Sequence, residues 1–189
     1  MKVVLFALNS SYIHTNLAVR CLQDVLRKNN IESVIVEKNL KDSHNNVLYE
    51  LYNHKADMYG FSAYIWNINE LLNFASELKS LLPNCIIFFG GPEVSFEDYD
   101  FFKAHNYVDY IICGEGESVI ADFCTSPFNY NKIIHSSQYA DFTSRIFFTL
   151  ILIPRATLYT TNPLAVARMV ARIVFHLPLM VYAVNRLKR

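Results

Sequence analysis

The chain has 189 residues, 52% hydrophobic and 14% aromatic, enough to bury the core of one ordinary domain without the help of metals or disulfides. Its formal net charge of zero conceals a division: residues 1–143 hold all 17 acidic residues against 10 Lys+Arg, for −7, whereas residues 144–189 hold seven Lys+Arg and no acid, for +7. An acidic body excludes a nucleic-acid-binding surface, which needs clustered Lys and Arg to neutralise phosphates, and the basic tail is a different kind of sequence.

Val3 to Leu8 predicts the first strand, apolar on both faces as a covered parallel strand must be. Only Met1-Lys2 precedes it and no small-residue cleavage site follows, so the run is expected to be a buried strand and not a secretory signal. A helix is predicted from about Asn16, with Leu17, Cys21 and Val25 at helical spacing, Arg20, Asp24, Arg27 and Lys28 on the wet side, and Asn29-Asn30 closing it. Ile31 to Glu37 gives a second strand and residues 45–54 a short helix. Asp57 to Ser62 gives a third strand ending in a polar turn. Asn69 to Leu82 is amphipathic through Leu71, Leu72, Phe74, Ala75 and Leu78, and Pro83-Asn84 stops it. Cys85 to Phe89 is a fourth strand, Asp98 to Phe102 an irregular or helical stretch, and Val108 to Cys113 a fifth strand. Strands alternating with helical patterns predict an α/β, flavodoxin-like or Rossmann-like doubly wound sheet of five parallel strands in the order 2-1-3-4-5.

This rhythm stops near Pro127, where the boundary between a domain of residues 1–127 and a segment of residues 128–189 is expected. Phe128 to Arg145 is polar and aromatic without a period, and Ile146 to Ile153 is an apolar block ended by Pro154. Leu164 to Val184 is long enough to span a bilayer, but Arg168 and Arg172 near its centre each cost several kcal/mol there. Arg168, Arg172 and His176 recur every four residues on one helix face, the pattern of a helix docking on a partner surface or lying on a membrane. A truncated or spliced reading frame is the third reading of the tail.

Four short segments fall where strands of such a sheet end: Asn9-Ser10-Ser11-Tyr12-Ile13-His14, Gly60-Phe61-Ser62-Ala63-Tyr64, Gly90-Gly91-Pro92-Glu93 and Gly114-Glu115-Gly116-Glu117. The carboxyl ends of the strands of an open parallel sheet form its ligand crevice. Candidate ligand residues are therefore Asn9, Ser10, Ser11, Tyr12, His14, Ser62, Ala63, Tyr64, Gly90, Gly91, Pro92, Glu93, Gly114, Glu115 and Gly116. Glycines there let backbone approach a ligand closely, glutamates accept hydrogen bonds, and the aromatic faces of Tyr12, Tyr64 and Trp66 suit a flat macrocycle. Neither glycine segment is a Walker loop or a G-x-G-x-x-G fingerprint, so a phosphate-gripping site is not indicated.

Nothing in the pattern supplies a nucleophile and its base, and no catalytic residue is assigned. His44, His54, His105 and His135 fall in polar surroundings where a solvated imidazole is expected, and only His14 belongs to a crevice loop. Cys21, Cys85, Cys113 and Cys124 match no close-paired zinc or iron–sulfur spacing, so buried reduced thiols, a cytoplasmic location and no protein-held metal are expected.

Lys2 to Leu8 with Asn9-Ser10-Ser11-Tyr12-Ile13-His14-Thr15-Asn16-Leu17-Ala18, Gly60-Phe61-Ser62, Phe89-Gly90-Gly91-Pro92-Glu93 and Val108 to Glu117 resembles the N-terminal cobalamin-binding domain of B12-dependent radical SAM enzymes, over about residues 1–125. The Gly-Gly-Pro-Glu and Gly-Glu-Gly-Glu pair, in order on successive strands, is the most specific part. The resemblance implies a Rossmann-like fold, a cobalamin (B12) cofactor and a radical SAM catalytic domain or chain as partner, in a methyltransferase-type system. Cobalamin domains of methyltransferases and mutases carry Asp-x-His-x-x-Gly after the first strand, and here Asn9, Ser11 and His14 stand at the Asp, His and Gly positions. Ser11 is a poor cobalt ligand, so the resemblance implies a lower cobalt face without a protein ligand. S-adenosylmethionine and a [4Fe–4S] cluster belong to a complete family member. The four cysteines of this sequence contain no Cys-x-x-x-Cys-x-x-Cys spacing to hold that cluster. The competing readings are a flavodoxin-like nucleotide- or flavin-binding domain, and a fragment that has lost its ligand.

Overall fold

Strand β1 (Lys2–Asn9) is buried along six consecutive residues, because Val3 to Leu8 offers no polar side chain to either face. The computed structural model describes residues 1–10 and 15–136 and places β1 inside the sheet. On one side β1 pairs in parallel with β2 (Glu32–Asn39), from Lys2 opposite Glu32 to Asn9 opposite Asn39. On the other it pairs with β3 (Met58–Ser62), from Val3 opposite Met58 to Phe6 opposite Phe61. Beyond β3 lie β4 (Ile86–Gly90), β5 (Tyr110–Cys113) and β6 (Ile133–His135), all parallel, giving the order β2-β1-β3-β4-β5-β6. Between them run helices α1 (Leu17–Lys28), α2 (His44–Asn53), α3 (Ile68–Leu81), α4 (Tyr99–Ala104) and α5 (Ile120–Thr125).

Alternation along β1 sorts the core into two layers. Val4, Phe6 and Leu8 face Val47 and Leu51 of α2, Leu71, Phe74 and Leu78 of α3, and Phe101 and Phe102 of α4. Val3, Leu5 and Ala7 face Val19, Val25 and Leu26 of α1 and Ile120 and Phe123 of α5. Phe61 stacks on Phe89 at 5.0 Å, and Phe6 meets Phe61 and Phe74 edge-on at 5.7 and 5.6 Å. Aromatic rings so placed add their pair geometry to the ~1.5–3 kcal/mol that a fully buried large side chain contributes.

Helix α1 begins where the asparagine predicts: Asn16 Oδ1 accepts the Val19 amide at 3.2 Å. It ends as Asn29 Nδ2 donates to the Val25 carbonyl and Asn30 takes a left-handed φ of 57°. Strand β5 starts later than Val108 because Asp109 substitutes for a ladder residue. Its amide donates to the Ile87 carbonyl, while its carboxylate accepts the Ile87 amide and the Lys79 ammonium, both at 2.7 Å.

The sheet has six strands where five were expected. The sixth is three residues long, with only Ile133 and Ile134 apolar after Asn129-Tyr130-Asn131-Lys132, too short to show a period. It pairs with β5, whose outer edge would otherwise be open. Two histidines expected to be solvated are packed instead. His44 stacks on Phe74 at 4.2 Å with Nε2 at 3.0 Å from the Glu77 carboxylate, and His105 Nδ1 lies 2.9 Å from the Tyr107 hydroxyl. The four cysteines are buried and free, and burial pushes the Cys85 thiol up to about 11 and the Cys124 thiol up to about 12. Among the described residues no helix is long and apolar enough to cross a membrane. The helical and apolar readings of residues 144–189 lie outside the described residues.

Candidate functional site

Register brings most of the expected residues to one edge of the sheet. Asn9 ends β1 opposite Asn39, Ser62 ends β3 opposite Gly90, and Gly90 ends β4 opposite Ile112, two residues before Gly114. Adjacent strands in a sheet lie ~4.8 Å apart, so Ser62, Gly90 and the start of the Gly114 loop form a continuous row of backbone. Ser10 follows β1 and is exposed; Ser11, Tyr12 and His14 lie outside the described residues. β1 lies between β2 and β3, so the chain leaves it towards one side of the sheet and later continues on the other, the point where an open sheet leaves a crevice.

Two glycines have geometries that demand glycine. Gly91 has φ +116°, and a Cβ added there would lie 2.3 Å from the Ala63 carbonyl oxygen. The loop after β4 therefore presses bare backbone against the loop after β3, an approach fastened by the Ala63 amide donating to Gly90 O at 2.7 Å. Gly114 has φ +83° with space around it. Gly90 lacks the positive φ of these two, and a Cβ there would have one neighbour within 4 Å, the Ile112 carbonyl at 3.6 Å, so the strand end has room on its Cβ side.

β1 and β3 stop pairing at Phe6 and Phe61, and the gap beyond is bridged by Asn67, 1% exposed. Its Nδ2 donates to Leu8 O at 3.0 Å and Ser62 O at 3.1 Å, and its Oδ1 accepts the Tyr64 amide at 2.8 Å. The same turn is closed by the Asn67 amide donating to Tyr64 O. It presents Tyr64 stacked on Trp66 at 4.6 Å and 10°, with Trp66 half exposed and Ile65 more so. The sequence reading missed Asn67, whose position before α3 marks it as a helix cap, although its side chain turns back to the strand ends.

Ser10 follows the end of β1, Glu93 lies in the turn after β4 and Glu115 in the loop after β5. Cys113, the last residue of β5, has its thiol raised by burial and stays protonated at neutral pH. Among the described residues no three His, Cys, Asp or Glu side chains converge into a metal site. Among the described residues the row is made of backbone and small side chains, Ser62, Gly90 and the start of the Gly114 loop. A separate concavity of about 650 Å³, lined by Met1, Met58, Ile86, Pro127 and Phe128, lies at the opposite, amino end of the strands. Its distance from the glycine loops sets it apart from the crevice.

The model of the B12 binding domain family matches residues 3–123, nearly two thirds of the chain. The chain belongs to the B12-binding domain family. This B12-binding domain is 38% identical over 61 residues to the cobalamin-dependent radical SAM methyltransferase TokK of Streptomyces tokunonensis, a match covering 32% of this chain and 9% of that protein. It is 35% identical over 79 residues to the hopanoid C-3 methylase of Methylococcus capsulatus, covering 41% of this chain and 15% of that one. The chain thus aligns with small fractions of these relatives' length. Among solved structures, the cobalamin-dependent S-adenosylmethionine radical enzyme OxsB, with aqua-cobalamin and S-adenosylmethionine bound, superposes with a TM-score of 0.58 at 20% identity, over 69% of this chain and 19% of that one. That likeness establishes the Rossmann-like fold.

One observation tests whether the B12-binding domain suits a corrin: at the Gly90 strand end an added Cβ would meet only the Ile112 carbonyl, at 3.6 Å, so a ligand has room to lie on backbone there. The residues fit.

Proposed function

We propose that the chain is a cobalamin-binding module that works with a radical SAM catalytic part, in a methyltransferase-type system. The observation that carries this reading is the family match over residues 3–123 on a crevice whose Gly90 strand end has room on its Cβ side. Asn9, Ser10 and Ser62 would hold the corrin from the β1 and β3 ends, Gly90 and Gly91 from β4, and Gly114, Glu115 and Gly116 from β5, with the Tyr64–Trp66 pair as an aromatic wall. Bound cobalamin supplies the cobalt that carries a methyl group; the protein supplies placement and access. S-adenosylmethionine and the [4Fe–4S] cluster belong to the catalytic part. Buried, protonated thiols support a reducing, cytoplasmic location.

Absorbance titration of the chain with hydroxocobalamin, set against flavin mononucleotide, tests the reading. Saturable shifts of the cobalamin bands with no response to the flavin support it. Flavin binding in place of cobalamin returns the domain to the flavodoxin-like class, and response to neither makes it a fold without its ligand.

A further inference from the structure

Helix α1 follows directly on the β1 loop, and the last residues of that loop are held by a carboxylate from the neighbouring edge strand. Glu37 stands on β2 opposite Ala7. Its Oε1 accepts the Asn16 amide and its Oε2 accepts the Arg20 guanidinium at 2.7 Å. The Thr15 hydroxyl donates to the same carboxylate at 3.0 Å and itself accepts from Arg20 Nε at 2.7 Å, so the three side chains close a ring. Asn16 is also gripped from the other side of β1, where its Nδ2 donates to Ser62 Oγ at 3.2 Å. The entry to α1 is thereby fixed above β1 from β2 and from β3 at once. Ser62 in turn is tied through its carbonyl to buried Asn67.

We infer that Glu37 is a positioning residue for the cobalamin site: it fixes Thr15 and Asn16 at the entry to α1, and Asn16 in turn holds the Ser62 hydroxyl at the end of β3, where the cofactor would lie. This rests on the cobalamin reading above. The Glu37 side chain is 20% exposed. Charge-assisted bonds are the strong ones, and holding a contacting side chain in place in advance removes an entropic cost from binding. Gln at position 37 keeps the length of the side chain but turns a donor towards either Arg20 or the Asn16 amide.

The test compares hydroxocobalamin binding by the wild type, Glu37→Gln, Glu37→Asp and the control Lys79→Met. The control breaks an ion pair of similar length and exposure, Lys79 to Asp109 at 2.7 Å, beside the starts of β4 and β5. Dissociation constants should rise about tenfold in E37Q, by the loss of one charge-assisted bond, and stay near wild type in K79M. The visible bands of the bound cobalamin, which report the cobalt's surroundings, should differ from wild type in E37Q alone, and E37D should recover part of the affinity. If E37Q fails to fold, Thr15→Val and Arg20→Gln remove single members of the ring, and each should weaken binding severalfold. Equal affinity loss in E37Q and K79M, or unchanged affinity in both single-member variants, overturns the inference while leaving the cobalamin reading standing. Failure of the wild type to bind overturns both.

Discussion

Replacing Asn67 should cost more stability than any other single polar change in the described core. Asn67→Ala deletes three hydrogen bonds, to Leu8 O, Ser62 O and from the Tyr64 amide, of 3.0, 3.1 and 2.8 Å. At a net ~1 kcal/mol each, the loss is about 3 kcal/mol, with water entering the vacated space to limit the penalty of unpaired groups. Asn67→Asp keeps the shape and the acceptor for Tyr64, but faces two carbonyl oxygens with a carboxylate in a site 1% exposed. It should cost more than alanine at pH 7, ~4 kcal/mol or above. Burial and the facing carbonyls raise the pKa of that aspartate in the folded state, so its protonated form is favoured there. The N67D deficit relative to wild type should therefore shrink as pH falls towards about 4, where the acid regains a donor, and widen as pH rises above the unfolded value. Urea unfolding at pH 7 and pH 5 measures both. An alanine cost under 1 kcal/mol, or an aspartate variant as stable as wild type at pH 7, would refute the view that Asn67 bridges the splayed strands.

Gly90→Val should fold normally, since its Cβ meets only Ile112 O at 3.6 Å, and should lower hydroxocobalamin affinity at least tenfold; an unchanged affinity removes Gly90 from the site. Gly91→Ala should instead destabilise the fold by ~2 kcal/mol or more, through its positive φ and the Ala63 carbonyl, read as a lower urea midpoint. Cys85, held up to about 11 by burial, stays protonated in the fold while the unfolded thiol ionises near 9, so stability should fall as pH rises from about 9 to 11; the slope should lessen in Cys85→Ala. In native protein the same thiol should resist iodoacetamide at pH 8 and react only on unfolding.

Strands β1, β3 and β4 were legible because a strand covered on both faces has no polar position to confuse its period. Helices α1 and α3 were legible from their apolar spacing and stop signals. β6 was not, because three residues carry no period and its pairing depends on the open edge of β5. At the site, Ser62, Gly90, Gly91 and Gly114 were readable as strand-end residues, since glycine and serine after an apolar run mark a turn. The reason Gly91 must be glycine was not: it lies in the Ala63 carbonyl, 28 residues earlier in the chain. Glu37 and Asn67 escaped notice because each acts on a distant strand or loop. Glu37 reaches Thr15 and Asn16 only once β1 and β2 are in register, and Asn67 reaches Leu8 across 59 residues.

The most direct test of the account is a crystal of the chain grown with hydroxocobalamin, with data collected at the cobalt absorption edge. The account predicts one anomalous peak beyond the carboxyl ends of β1, β3 and β4, over the row formed by Ser62 and Gly90. A peak in the concavity lined by Met1 and Phe128 at the opposite end of the strands, or ordered crystals with no cobalt peak, would contradict it.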